Sequence, residues 1–184
     1  MNLYRLDNCP IFKDNCLILI IMITTTEKIE GKLNKEIASF FKSNKINVHN
    51  KNVSYENFLE DKMLIIVVIR VGIPYSLFDL IQNYTPFSET DWANFLDIST
   101  KSLQRYRTSP EHRFKPIHSE KLIEISEVTK VGLDVFGNIE KLKLWLDTPS
   151  YALGKLKPIE LLKDSYGKEM VIGELNRINH GILV

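Results

Sequence analysis

The sequence is poor in cysteine, and it carries almost no net charge. Its two cysteines, Cys9 and Cys16, have no cluster of metal-ligating residues beside them, so neither a disulfide framework nor a zinc site is expected. Lys and Arg number 24 against 23 Asp and Glu, which excludes a long-range attraction of the whole chain to nucleic acid or to an anionic membrane. DNA binding therefore requires a local basic patch, and a reducing, cytoplasmic location is expected.

Long apolar runs are also missing. The longest, residues 17–23 and 63–69, have seven residues each, whereas a membrane-spanning helix needs roughly 20. Asp7 and Asp14 precede the first run, and Thr-Thr-Thr-Glu-Lys follows it in place of a small-residue cleavage site, which is unlike a secretion signal. No membrane association is expected. Met22, inside this run, is an alternative start of translation.

Motifs of an enzyme are absent as well. The sequence has no glycine-rich phosphate loop, and its histidines, His49, His112, His118 and His180, are scattered without a local partner motif. We therefore expect no catalysis, no cofactor and no metal ion.

What is present is the composition of a folded protein, with 44% hydrophobic and 26% charged residues over 184 positions. Residues 1–62 form an N-terminal extension that is hard to assign. Within it, helical spacing of apolar residues predicts one amphipathic helix that packs on the domain behind it. These residues are Ile29, Leu33, Ile37, Phe40 and Phe41.

Residues 63–137 are predicted to form a helical domain. The run 63–69 fits a buried strand or a buried helix, and its neighbours favour the helix. Gly72 is suited to end it, and Pro74 to lie in the first turn of the next helix, which continues through Leu77, Leu80 and Ile81. Apolar positions over residues 119–136 predict a long, deeply buried helix that ends at Gly137.

Residues 138–184 are predicted to form a small C-terminal domain of three short helices, over 140–146, 158–162 and 168–178. Pro149, Gly154 and Gly167 are assigned to the loops between them. The fold class is therefore predominantly all-α.

A helix-turn-helix is predicted inside the larger domain. Ser88 and Asp91 have the spacing of a capping box, which opens a helix on Trp92, Phe95 and Leu96. Residues 97 and 98 form the turn, Ser99 caps the second helix, and Leu103 and Tyr106 face inward. Asp97 occupies the position where glycine is common, and aspartate tolerates a left-handed backbone better than most residues.

The second helix has a polar stripe suited to a DNA major groove. Between residues 99 and 115 there are five basic residues and one acidic residue. Gln and Arg side chains contact adenine and guanine edges, while Arg107, Arg113 and Lys115 are assigned to phosphates. The candidate DNA-binding residues are Ser99, Thr100, Lys101, Gln104, Arg105, Arg107 and Thr108. The alternative is that the stripe is only the solvated face of a helix pair.

From residue 63 onward the sequence resembles the Xre-type antitoxins of RES/Xre toxin–antitoxin systems, which carry the Xre/MbcA/ParS toxin-binding domain. The resemblance is carried by residues 91–99 (DWANFLDIS), 103–106 (LQRY), 135–137 (VFG), 145–146 (WL), 152–154 (ALG), 158, 161–162 (LL), 167, 174–175 (EL), 177–178 (RI) and 180–181 (HG). Two positions depart from the family pattern: Ser150 where asparagine is frequent, and Lys155 where a second glycine is frequent.

The resemblance implies a homodimeric antitoxin. Its C-terminal region would cover the active-site cleft of a RES-domain toxin, an NAD-consuming enzyme encoded by the adjacent gene. The complex would bind its own operator DNA through the helix-turn-helix and repress transcription. The candidate toxin-binding residues are Tyr151, Leu153, Lys155, Met170, Arg177, His180 and Leu183.

Four alternatives accompany this interpretation. Trp145, at helical spacing with Leu142 and Leu146, fits a core position better than an interface. Arg177 and His180 fit a solvated helix end as well as a partner's cleft. The chain as a whole could be a stand-alone transcription regulator whose C-terminal domain binds a small ligand, or an interaction module that has lost DNA binding.

Overall fold

The computed structural model describes residues 28–47, 53–109 and 111–182. In these ranges the chain is built of α-helices, and the extended pairings there are two isolated bridges, Pro74 with Arg113 and Ser150 with Leu156. The all-α fold class is confirmed. The predictions for Cys9, Cys16, residues 17–23, Met22, His49 and Leu183 lie outside the described residues.

The helices follow one another along the chain with short connections. Their bounds are α1, residues 28–43; α2, Tyr55–Glu60; α3, Lys62–Val71; α4, Tyr75–Tyr84; α5, Glu89–Phe95; α6, Thr100–Arg107; α7, Pro116–Phe136; α8, Ile139–Leu146; α9, Pro158–Leu161; and α10, Ser165–Asn179.

The described part of the N-terminal extension shares the core of the helices that follow it. Leu33 and Ile37 of α1 are completely buried, and the ring centroid of Phe41 lies 5.9 Å from that of Phe58 in α2, edge to face. The prediction that the apolar face of α1 packs on the domain behind it is confirmed. The proposed boundary at residue 62 remains a prediction.

The ambiguous run 63–69 is helical and lies within α3. Its start is fixed by Asp61, whose side chain accepts a hydrogen bond from the Leu64 backbone N–H at 3.0 Å. Gly72 ends the helix with φ 86°, and a Cβ at this position would lie 2.7 Å from the Phe114 carbonyl oxygen. Only glycine fits there. Pro74 is not in the first turn of α4 as predicted, because its backbone is extended and it takes the N-cap position.

Helix α7 is the long central helix that the sequence predicts, and it begins three residues earlier than expected, with Pro116 in its first turn. Helices α2, α3, α8 and α10 pack against it. It buries polar as well as apolar side chains. The hydroxyls of Ser126 and Thr129 are satisfied because they donate to the carbonyls one turn earlier, at 2.7 and 3.0 Å.

Charged groups join α7 to both of its flanks. The carboxylate of Glu127 accepts from Lys62 of α3 at 2.6 Å and from Lys168 of α10 at 2.8 Å. Burial alone raises the pKa of Glu127, but the hydrogen bonds from Lys168 and Lys62 outweigh it, and the pKa lies below its usual value. The carboxylate is therefore charged at neutral pH.

Gly167 is buried in the first turn of α10, so its assignment to a loop is wrong. A Cβ on this residue would collide with the backbone carbonyl of Leu161, at the end of α9. The close approach of α9 to α10 is a tertiary contact, which the local sequence does not encode.

We expect Gly167→Ala to lower the free energy of unfolding by about 1–3 kcal/mol, because a backbone carbonyl must move to admit the methyl group. The matched control is Gly173→Ala in the same helix, where a Cβ meets open space. That substitution should raise stability by about 0.5–1 kcal/mol through helix propensity. Urea unfolding of both variants measures the difference; equal effects would contradict the close approach at Gly167.

Candidate functional site

The turn between α5 and α6 is fixed by backbone hydrogen bonds. The predicted capping box at the start of α5 is confirmed, since the Ser88 side chain accepts from the Asp91 N–H and the Asp91 side chain accepts from the Ser88 N–H. At its end, the Asp97 N–H donates to the Asn94 carbonyl and the Ile98 N–H to the Ala93 carbonyl, which is a Schellman arrangement.

Asp97 adopts the left-handed conformation that the turn requires, with φ 51°. The sequence-based expectation for this position is confirmed. Ser99 then caps α6 by accepting from the Ser102 N–H at 3.1 Å, as predicted. Helix, turn and helix are thus set by local interactions.

The two helices of the motif pack through small and apolar residues. Ala93 is 2% exposed, and Trp92 and Leu103 are completely buried. The indole ring of Trp92 lies edge to face with Phe78 of α4 at 5.4 Å. This packing holds α6 against the domain and leaves its opposite face outward.

The outward face of α6 carries the predicted polar stripe. Lys101, Gln104, Arg105 and Thr108 are all exposed. Thr108 is the C-cap residue of α6, and its hydroxyl donates to the Arg105 carbonyl at 2.8 Å. Neither Lys101 nor Arg105 has an ion-pair partner among the described residues, so both cations are available to a ligand. Of the remaining candidates, Ser99 is exposed and serves as the cap, and Thr100 is half-buried.

Two arginines assigned to phosphates contact neighbouring elements of the domain. The Arg107 Nε donates to the Tyr75 hydroxyl at 3.2 Å, and its Nη2 lies 3.8 Å from a Glu89 carboxylate oxygen. The Arg113 Nη1 donates to the Gly72 carbonyl at 3.2 Å. Both side chains hold neighbouring elements together. Both arginines are nevertheless exposed, as is Lys115, so their assignment to phosphates stays a prediction.

An aromatic stack supports α6 from behind. The rings of Tyr106 and His112 lie 3.6 Å apart and almost parallel, and the ring of Phe114 meets both edge to face. Burial, together with the positive charges of His118 and Arg105, lowers the pKa of His112. His112 is therefore neutral at pH 7, and its ring stacks on that of Tyr106.

The second candidate surface lies on α10. Its inward face is formed by Gly167, Val171 and Leu175, all buried. On another face, five residues recur at alternating steps of four and three, which places them in one stripe along the helix. These residues, which we call the α10 stripe, are Tyr166, Met170, Gly173, Arg177 and His180.

The α10 stripe is apolar at one end and basic at the other. Tyr166 is 84% exposed and Met170 is 51% exposed, which is unusual for side chains of this size. Arg177 makes an ion pair with Glu174 at 3.4 Å and is half-exposed, while His180 is the exposed C-cap residue of the helix. The sequence-based candidates Met170, Arg177 and His180 thus share one face.

The loop before α9, which contains the two departures from the family pattern, turns through two consecutive left-handed residues. Gly154 and Lys155 both have left-handed backbones, with φ 70° and 66°. Lysine therefore adopts the conformation for which glycine is frequent. The Ser150 carbonyl accepts from the N–H groups of Leu153 and Lys155, which closes the turn. The Lys155 ammonium lies 5.8 Å from the ring of Tyr151, which is 76% exposed.

Leu153, a remaining C-terminal candidate, is not an exposed anchor, and Trp145 lies where the sequence predicted it. Leu153 is 4% exposed and belongs to the core, so it holds the loop in place and is not free to contact a partner. Trp145 is half-buried and packs against the core, with its ring 5.8 Å from that of Phe136, which agrees with its interpretation as a core residue.

Sequence reasoning missed Tyr166 and Gly173 as members of the exposed stripe. Tyr166 lies before residue 168, where the sequence-based prediction starts the helix, and Gly173 has no side chain that would mark it as a contact residue. Within the described ranges, no group of three or more His, Cys, Asp or Glu is arranged to hold a metal ion. No helix in those ranges is long and apolar enough to span a bilayer.

Comparison with known proteins finds relatives of the C-terminal segment and of the chain. Residues 132–181 match the family described as the antitoxin Xre/MbcA/ParS C-terminal toxin-binding domain. The chain is 28% identical over 117 residues to Antitoxin Xre of Photorhabdus laumondii, covering 63% of this chain and 78% of that protein. It is 29% identical over 115 residues to Antitoxin Xre of Yersinia enterocolitica, covering 62% of this chain and 77% of that protein.

A solved structure is also similar, the crystal structure of the MbcT–MbcA toxin–antitoxin complex of M. tuberculosis. The TM-score is 0.47 at 18% sequence identity, over 58% of this chain and 94% of that chain.

The fold and the matched segment first define a class, a helical protein with a helix-turn-helix whose C-terminal segment is similar to a family of toxin-binding domains. Residues 132–181 match the Xre/MbcA/ParS toxin-binding family, and the resemblance of the chain to Xre-type antitoxins is confirmed.

We expect Asp97→Gly to raise the free energy of unfolding by about 0.5–1 kcal/mol, since glycine adopts a positive φ without the steric cost that a side chain brings. Asp97→Ala should lower it, because alanine has the cost of the left-handed backbone without the tolerance of aspartate. Thermal or urea unfolding of the pair measures both. A lower stability for Asp97→Gly would contradict the turn geometry.

Proposed function

We propose that this protein is a cytoplasmic antitoxin that neutralises a RES-domain toxin and represses the operon that encodes both. The C-terminal domain binds the NAD-consuming toxin and covers its active site, and α6 binds operator DNA. The antitoxin itself catalyses nothing and acts as a homodimer. The observation that carries the proposal is the α10 stripe, an exposed surface of apolar and basic residues inside the segment that matches a toxin-binding domain.

The chemistry of the α10 stripe suits the mouth of an enzyme cleft. Tyr166 and Met170 offer apolar area that is already exposed, so their burial against a partner is favourable. Gly173 leaves open space in the middle of the stripe, which lets a partner's backbone approach the helix closely. Arg177 and His180 offer hydrogen-bond donors, which suit acidic and polar groups in the cleft of an NAD-consuming enzyme.

The DNA interface of the proposal is the outward face of α6. Gln104 and Arg105 have side chains that hydrogen-bond to base edges, and Lys101 neutralises a phosphate. Glu89, at the start of α5, lies 3.8 Å from Arg107 at the end of α6, whereas α6 itself carries three cations and no acidic residue. The local charge of α6 is therefore positive although the net charge of the chain is only +1.

For DNA, the double substitution Lys101→Ala with Arg105→Ala should weaken operator binding by about 2–4 kcal/mol and reduce its salt dependence. The matched control is Lys42→Ala with Lys143→Ala, which removes two exposed cations from α1 and α8. Fluorescence anisotropy at several salt concentrations measures both effects. Unchanged affinity of the double variant would favour an interaction module that has lost DNA binding.

For the toxin, Met170→Glu should abolish neutralisation, because a charge is buried at the centre of the apolar contact. Its matched control is Ile117→Glu, which changes a side chain that is 70% exposed on α7, outside the toxin-binding segment. A point variant tests the interface more specifically than a deletion of residues 168–184 would, because the deletion also removes the core residues Val171 and Leu175.

The readout is co-expression with the neighbouring gene, scored by growth and by intracellular NAD. Restored toxicity with Met170→Glu, and continued protection with Ile117→Glu, support the proposal. A protein that forms no complex with any product of its own operon would contradict it and favour the stand-alone regulator with a ligand-binding C-terminal domain.

A further inference from the structure

Tyr75 is a buried residue whose hydroxyl reaches the helix-turn-helix. It is the first residue of α4, and it is 6% exposed. Its ring lies edge to face with Phe78 at 5.5 Å and stacks on Phe114 at 6.4 Å. Its backbone N–H donates to the His112 carbonyl at 3.1 Å. These ring contacts and the backbone hydrogen bond fix the position of the hydroxyl oxygen.

The Tyr75 hydroxyl accepts a hydrogen bond from the Arg107 Nε at 3.2 Å. Arg107 is the last residue of α6. The arginine side chain has many rotamers in solution, whereas the tyrosine side chain has two torsion angles, and here both are held by the packing of the ring. Tyr75 is therefore the fixed member of the pair, and Arg107 is the side chain that it orients.

The orientation leaves one edge of the guanidinium group available. A guanidinium group is planar and carries five N–H donors. Its Nε and Nη2 side is turned towards Tyr75 and Glu89; Nη2 lies 3.8 Å from the Glu89 carboxylate oxygen, which is beyond hydrogen-bond distance. Nη1 donates no hydrogen bond to any described residue, and the Arg107 side chain is 53% exposed. Arg107 can therefore bind an anion while its Nε remains on Tyr75.

Arg107 lies on a flank of α6, beside the outward face. It follows Gln104 by three residues and Thr100 by seven, so it is a neighbour of both around the helix. The major groove of DNA is about 12 Å wide, and a helix with its side chains is roughly 10–12 Å in diameter. Side chains on the flanks of a helix in the groove therefore lie next to the sugar–phosphate backbone.

We propose that Tyr75 is a positioning residue for DNA binding, which orients Arg107 so that its Nη1 contacts one phosphate of the operator. The contact rests on the DNA-binding part of the proposed function, and it adds a residue of α4 to a surface otherwise formed by α6. Because the guanidinium group is held before DNA arrives, less conformational entropy is lost when the phosphate binds.

The fold does not depend on the hydrogen bond between Tyr75 and Arg107. Helix α6 is held against the domain by Leu103, which is completely buried, and by the stack of Tyr106 on His112 at 3.6 Å. Removal of the Tyr75 hydroxyl leaves these contacts and the tyrosine ring packing in place. Tyr75→Phe therefore changes the orientation of Arg107 without changing the position of α6.

Fluorescence anisotropy of the full-length protein with a labelled duplex of the promoter region of its own operon tests the contact. Tyr75→Phe should weaken binding about fivefold with an unchanged salt dependence, because one hydrogen bond and no cation is lost. Arg107→Met should weaken binding about tenfold and lower the slope of log affinity against log salt by about one. The matched control is Tyr84→Phe, at the last residue of the same helix, which should leave both quantities unchanged.

The double variant distinguishes positioning from a merely structural role. Since Tyr75 acts through Arg107, Tyr75→Phe should have no further effect on affinity in an Arg107→Met background. A further fivefold loss in that background would overturn the proposal, because it would show that the hydroxyl acts through the fold. Circular dichroism and protection of growth in co-expression with the neighbouring gene should be unchanged in both single variants.

Two other outcomes separate this contact from the rest of the proposed function. If the unmodified protein binds the duplex and Arg107→Met changes neither affinity nor salt dependence, the phosphate contact is overturned while DNA binding by α6 stands. If the unmodified protein does not bind the duplex, the DNA-binding part of the proposed function is overturned together with this contact. Toxin neutralisation is tested independently of both.

Discussion

The burial of α7 is the interaction on which the other elements depend. Helices α2, α3, α8 and α10 all pack against it, and the buried apolar residues of α3 and α10 face this one helix. Ser119, completely buried near its start, accepts from the Ile73 N–H and donates to the Phe114 carbonyl. That single hydroxyl ties the segment between α3 and α4 to the segment that follows the helix-turn-helix. The orientation of α6 thus depends on the position of α7.

The features predicted correctly from the sequence are those with local causes. The capping box at Ser88, the left-handed turn at Asp97 and the glycine cap at Gly137 each depend on residues within one helical turn of one another. Periodicity likewise identified α7, because its buried positions recur along a single helix. Such signals can be recognised in the sequence without knowledge of the tertiary structure.

The features that were missed depend on contacts between residues far apart in sequence. Gly167 is a helix residue because the end of α9 comes close to it, and Arg107 is held by Tyr75, which lies 32 positions earlier. Leu153 is buried because its loop folds onto the core. For the candidate surfaces, residue types and spacing located α6 and part of the α10 stripe. Exposure, which decides whether a side chain is free to bind, required the tertiary structure.

The two ammonium groups that share the carboxylate of Glu127 belong to helices on opposite sides of α7 in the sequence. Because its pKa is depressed in the folded state, the stabilisation from this carboxylate is complete above the pKa of the unfolded chain and disappears as the pH falls through the folded value. Protonation removes the attraction to Lys62 and to Lys168 in the same event. Acidification therefore weakens the contact of α7 with α3 and its contact with α10 together, through one proton on one side chain.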